Sequence, residues 1–127
     1  MDKYVLDASA LLALLNRETG HELVADVVTY STMSSINVSE SLTSLQKYGI
    51  DIEKGFLMIK DLIAEIIPFD EDQAVNTALL DIQSKKLGLS LGDRACIALA
   101  LNLKMPVLTA DKAWLKLDTS IAIKSIR

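Results

Sequence analysis

The sequence holds one cysteine and one histidine in 127 residues. A single thiol excludes an internal disulfide, and one thiol with one imidazole cannot build a metal site, so any metal bound here is held by oxygen. No apolar run reaches the roughly 18 residues of a membrane span, although half of the residues are hydrophobic and the mean hydropathy is +0.31. The richest run, Ala8 to Leu15, stops at Asn16-Arg17-Glu18. No basic leader precedes it, and Asp2 stands where a signal peptide carries positive charge. The expectation is a cytoplasmic protein with no membrane partner and with apolar surface left over for another chain. Positive charge is the scarcer sign: 13 Lys and Arg against 17 Asp and Glu give a net charge of −4 and a pI near 4.9. That argues against a general nucleic-acid coat, whose affinity comes from neutralising phosphates, but it suits an enzyme with a local acidic metal site. Repeats, low-complexity tracts and linkers are lacking too, and the length suits a single domain, residues 1–127.

What is present is an alternation of short apolar strands with helices. Tyr4-Val5-Leu6 favours a strand and runs into Asp7, just where the period changes to that of the helix Ala8–Leu15. Leu23, Val24, Val27 and Val28 mark a second helix, and Thr32 to Ile36 a second strand. Asn37-Val38-Ser39-Glu40 has the spacing of a helix capping box, followed by the stripe Val38, Leu42, Leu45 that Gly49 ends. From Asp51 a helix places Ile52, Phe56, Ile59 and Ile63 on one face, and Glu65–Phe69 reads as a strand. Asp70-Glu71-Asp72 opens a helix that is expected to carry Val75, Ala78, Leu79 and Ile82 inward and to finish at Lys85-Lys86 before Gly88. Ser90-Leu91-Gly92-Asp93 starts the helix of Cys96, Leu99, Ala100 and Leu103. Met105–Thr109 is a strand that ends in Ala110-Asp111, and Ser120–Ile123 a further edge strand. This alternation predicts an α/β fold, a three-layer α/β/α sandwich with a mostly parallel central sheet.

In such sheets ligands bind at the carboxyl ends of the strands. Asp7 and Asp111 each follow a strand, while Glu40 and Asp93 lie in the first turn of a helix. Four carboxylates on one rim with no basic partner close in sequence would repel one another unless a cation lay between them. Mg²⁺ or Mn²⁺ suits such ligands, and the chemistry it permits is phosphodiester hydrolysis by a metal-held water. A purely structural reading stands beside this. Asp7 serves as an N-cap, Glu40 as the returning arm of a capping box with Asn37, Asp93 as the acid following a Ser90 cap, and Asp111 as the cap of a short helix through Trp114. Each such role contributes about 1 kcal/mol. Capping does not explain why Asp7 and Asp111 also end strands, with Ser9 and Thr109 two positions away.

Val5–Ala13, Ile36–Glu40, Leu89–Ala95 and Val107–Asp111, in that order and spacing, resemble the four motifs of PIN-domain nucleases, especially the VapC-type toxins of toxin/antitoxin pairs. The resemblance implies that Asp7, Glu40, Asp93 and Asp111 are the catalytic and metal-binding acids, that Ser9 and Thr109 are supporting hydroxyls, and that the cofactor is Mg²⁺ or Mn²⁺. It also implies endoribonuclease activity on an RNA substrate, a cognate antitoxin protein and a homodimer. A non-toxin RNA-processing PIN nuclease is the alternative within the family. Arg94 departs from the alanine common there, and with Lys112 it is a candidate substrate contact.

Two other classes share part of the pattern. The adhesion-site type of binding module opens with Asp-x-Ser-x-Ser, but Leu11 stands at the second serine. The haloacid dehalogenase type needs Asp-x-Asp, and here Ser9 replaces the second acid. Among the remaining residues, Cys96 is expected to be a buried small hydrophobe, His21 a surface residue and Trp114 part of a core or interface. Helix Ala8–Leu15 is apolar around nearly its whole circumference, so a face is expected to meet a second helix or a partner chain.

Overall fold

The computed structural model describes residues 3–127. Strands β1 (Val5–Leu6), β2 (Thr32–Ser34), β3 (Glu65–Ile67), β4 (Val107–Thr109) and β5 (Ile123–Ser125) form one sheet in the order β3-β2-β1-β4-β5, and every pair is parallel. Side chains alternate across a strand, and the core divides accordingly. Leu6, Met33 and Leu108 point into one layer with α1 (Ala8–Leu15), α2 (His21–Val27), α3 (Ser35–Lys47) and α4 (Ile52–Leu62). Val5 and Val107 point into the other, with α6 (Leu91–Leu103), Trp114 and one contact from α5 (Glu71–Ser84), Leu80. The expected three-layer sandwich is therefore present, and its sheet is wholly parallel.

From β1 the chain moves out through β2 to β3, then returns through α5 and α6 to β4 on the opposite side of β1. The strand order thus reverses between β1 and β4, the topological position that leaves a crevice at the carboxyl ends. Helix α6, buried from Ala95 to Ala100, lies over both strands and fixes that crevice.

Four local expectations are corrected. Strand β2 ends at Ser34, whose hydroxyl accepts from the Ile36 amide, so α3 starts before Asn37 and Asn37-x-x-Glu40 is not a capping box. The last strand is Ile123–Ser125, not Ser120–Ile123. Helix α1 leaves no leucine exposed, because α2 and α3 pack around it and cover Leu12, Leu14 and Leu15 in part. The apolar stripe of α5 faces outward. Gln73, Thr77, Leu80 and Ser84 are its buried side, and Val75, Leu79 and Ile82 are exposed. Periodicity reveals a stripe but not which way it turns. Here α6 offers α5 the Arg94 guanidinium, whose Nη1 donates to the Thr77 carbonyl at 3.1 Å. Ile52 and Phe56 of α4 are exposed as well, leaving Gly55 and Ile59 as its buried side.

Candidate active site

Asp7 lies at the floor of the crevice, 4% exposed, and caps α1 by accepting from the Ala10 amide at 2.8 Å. Thr109 at the end of β4 donates to its other oxygen at 2.6 Å, and the Ser9 hydroxyl donates to the same carboxylate at 2.8 Å. Both hydroxyls also accept: Ser9 Oγ from the Ala110 amide at 2.9 Å, Thr109 Oγ1 from the Asp111 amide at 3.1 Å. The two hydroxyls therefore stitch the ends of β1 and β4 together around one carboxylate. Burial pushes the Asp7 pKa up to about 6; hydrogen bonds from Thr109, Ala10 and Ser9 oppose the rise, and the charge of Asp93 adds to it.

The other three acids stand around the rim. Asp93 and Ser90 form the capping box of α6, with the Ser90 amide donating to Asp93 Oδ2 at 2.9 Å. Asp111 caps the 3-10 segment Lys112–Lys116 by accepting from the Ala113 amide at 3.0 Å. Glu40 is held from its own helix by Asn37, whose Nδ2 donates to Glu40 Oε1 at 2.8 Å and to the Gly92 carbonyl at 3.0 Å. Asp7, Glu40, Asp93 and Asp111 line one cleft of about 290 Å3 together with Ala8, Ser9 and Leu12. Three of these acids are caps as well as cleft residues, so the two readings of the sequence are not exclusive.

Among the described residues no three carboxylates are gathered into a ready-made metal cage. Each rim acid has one oxygen tied to a local donor, leaving Asp93 Oδ1, Asp111 Oδ2 and Glu40 Oε2 without a protein hydrogen bond among the described residues. No ion pair reaches any of the four acids within the same residues. An all-oxygen donor set, unpaired with any base and converging on a cleft with a buried carboxylate, fits a hard divalent cation that keeps part of its water shell.

Arg94 and Lys112 do not line the cleft. Consecutive residues on a helix point about 100° apart, so a neighbour of Asp93 in sequence is not its neighbour in space. Arg94 instead reaches across to α5. Cys96 is fully buried beneath the acids; burial, with Asp7, Asp93 and Glu40 nearby, holds its thiol well above the usual range. Trp114 is buried in the second core layer and His21 pairs with Glu22 at the surface, both as expected. Sequence reasoning missed two residues. Asn37 was visible only as a cap, and Gly92 gave no signal, yet a Cβ there would fall on the Glu40 carboxylate.

A larger groove of about 850 Å3 runs between α5, α6 and residues 118–120. Its only carboxylate is Asp118, so chemistry places the candidate site in the smaller, acidic cleft.

The PIN-domain family profile matches residues 4–124. No curated relative matches the sequence. Among solved structures, the chain is similar to a toxin-antitoxin complex from Klebsiella pneumoniae (TM-score 0.78, 18% identity, 98% of each chain). It is also similar to DNA-bound VapBC from Salmonella typhimurium (TM-score 0.70, 18% identity, 100% of each chain). FitAcB from Neisseria gonorrhoeae is a third (TM-score 0.71, 22% identity, 97% of each chain). At these identities the likeness is one of fold, and it extends over the whole parallel sheet and its helices. With the profile matched across nearly its full length, this chain belongs to the PIN-domain family.

Proposed function

We propose that this chain is a Mg²⁺- or Mn²⁺-dependent endoribonuclease and the toxin of a type II toxin/antitoxin pair, acting in the cytoplasm. The observation that carries the nuclease reading is the convergence of Asp7, Glu40, Asp93 and Asp111 on one cleft at the β1/β4 crevice with no basic side chain among its lining residues. The antitoxin partner is supported by the toxin-antitoxin complexes among the structures of the same fold. A homodimer is part of the same reading.

Asp93, Asp111 and Glu40 would hold the ion through their free oxygens, and Asp7 from the floor. When bound, the ion would supply an activated water and offset charge growing on the phosphoryl oxygens. Ser9 and Thr109 keep the Asp7 carboxylate oriented and hold the ends of β1 and β4 at fixed separation. Asn37 aims Glu40 toward the first turn of α6. Leu12 gives the cleft an apolar wall, which lowers the local dielectric and strengthens electrostatic contacts made inside.

The test is cleavage of a labelled single-stranded RNA and of its DNA counterpart by purified protein. Cleavage of the RNA with Mg²⁺ or Mn²⁺, abolished by EDTA and restored on adding the ion back, is expected. Undiminished cleavage after exhaustive chelation would refute the metal dependence, and cleavage of DNA alone would refute the substrate.

A further inference from the structure

Helix α5 has its apolar side on the outside. The buried side carries Gln73, Thr77 and Ser84, and among the described residues Gln73 Oε1 and Thr77 Oγ1 lack hydrogen-bond partners there. Outward stand Val75, Leu79 and Ile82, exposed by 60%, 65% and 85%. Positions 71, 75, 78, 82 and 85 advance in steps of four and three, so Glu71, Val75, Ala78, Ile82 and Lys85 form one line along the helix, the spacing of a helix-pairing seam. The line is acidic at its first residue, apolar in the middle and basic at its end. Glu71 and Lys85 are exposed, and neither has an ion-pair partner among the described residues.

Such a line is complementary to itself when reversed. Two copies laid antiparallel about a two-fold axis at Ala78 bring Glu71 to the partner subunit's Lys85 and Val75 to the partner subunit's Ile82. The smallest side chain of the line then falls where the two backbones cross. The opposed helix dipoles favour the same direction, whereas a parallel pairing sets Glu71 against its own copy. Leu79 flanks the line and borders the groove of about 850 Å3 between α5 and α6, a recess beside the seam for a side chain of the other copy. We propose that α5 is the two-fold surface through which two copies of this chain associate, α5 antiparallel to α5. This gives a face to the two-copy assembly, and it does not depend on the nuclease reading. Isologous contacts of this kind are the commonest in small oligomers.

The experiment is sedimentation equilibrium of the whole chain across a concentration series, with circular dichroism to check the fold of each variant. Wild type is expected to be a dimer, and Val75→Asp combined with Ile82→Asp to be a folded monomer, its dissociation constant raised by at least about a hundredfold because each apolar contact is lost twice. Glu71→Lys and Lys85→Glu are each expected to weaken self-association by a few-fold, as exposed ion pairs do. An equimolar mixture of the two should form heterodimers tighter than either variant alone. A wild type that stays monomeric at tens of micromolar overturns the proposal, including the case where α5 is covered only by a different protein. So does a double-aspartate variant that stays dimeric, or a mixture no tighter than its parts. A dimer that cleaves no RNA upholds this face and counts against the nuclease reading alone.

Discussion

Thr109 donates its hydroxyl to Asp7 at 2.6 Å across 102 positions of sequence, and Asp7 is buried at the floor of the cleft. The bond favours the charged carboxylate, yet burial outweighs it and the pKa stands at about 6 against an ordinary 3.8. Asp7 is therefore a carboxylate that the fold would rather keep neutral. Between those two values the folded state holds a proton that the unfolded state has released, so stability falls as pH rises from about 4 to about 6 and stays lowered above it. The difference is worth about 3 kcal/mol.

It follows that Asp7→Asn, which cannot ionise and caps about as well as Asp, stabilises the protein in chelator at pH 7.5 and does little at pH 4. A gain of several degrees in Tm at the higher pH is expected, about 2 kcal/mol in a domain of this size. Metal affinity and RNA cleavage should be lost in the same variant. Thermal melts at both pH values with EDTA check the first half, and metal titration the second. A variant less stable than wild type at pH 7.5 would mean that Asp7 is held for structure.

Thr109→Val keeps the shape of the side chain and removes the donor. Asp7 then loses the largest influence that lowers its pKa, so the acid limb of the cleavage profile should move to higher pH, by roughly one unit or less for a bond worth about 1 kcal/mol. Cleavage at pH 6.5 is expected to fall several-fold and that at pH 8.5 to stay near wild type. A uniform loss at all pH values would instead point to displacement of the β4 end.

The sheet was legible because short apolar runs closed by Asp7, by Pro68 and by Ala110-Asp111 change period at their ends. Asp7, Asp93 and Asp111 were legible as site candidates for the same reason, since strand ends and helix starts meet at one rim in a parallel sheet. Other features depend on contacts distant in sequence. Ser34, not Asn37, caps α3, and two adjacent serines give the sequence no way to choose the starting turn. Arg94 follows Asp93 directly but faces α5, where the Thr77 carbonyl accepts its bond. The orientation of α5 was misread because an apolar stripe is equally regular facing a core or facing outward.

Cys96 supplies a check on how the acids surround α6. Its thiol is fully buried and its pKa is raised first by that burial and then by Asp7, Asp93 and Glu40. Only the thiolate reacts readily with iodoacetamide, so folded protein at pH 8 should remain unlabelled while urea-unfolded protein is labelled within minutes. Rapid labelling of the folded protein would show that the layer of α6 beneath the cleft opens.

Gly92 offers the sharpest separation of Glu40 as a functional carboxylate from Glu40 as a surface residue. A Cβ at position 92 would fall on the Glu40 carboxylate, and its carbonyl already accepts from Asn37, which holds that same carboxylate. In most helices Gly→Ala stabilises by about 0.5–1 kcal/mol, because the unfolded chain loses freedom. Here the atoms in the way are the end of a flexible, exposed side chain, so Glu40 can swing aside with little effect on folding. Gly92→Ala is thus expected to keep or slightly raise Tm, to keep its helix content, and to cut metal-dependent cleavage at least about tenfold, the cost of misplacing one ligand. Asn37→Ala should act in the same direction on cleavage but lower stability by about 1–2 kcal/mol, since it leaves the buried Gly92 carbonyl without that donor. The pair is informative because the two variants share an effect on Glu40 and oppose each other on stability. Full activity in Gly92→Ala would remove Glu40 from the site and leave Asp7, Asp93 and Asp111 as its acids.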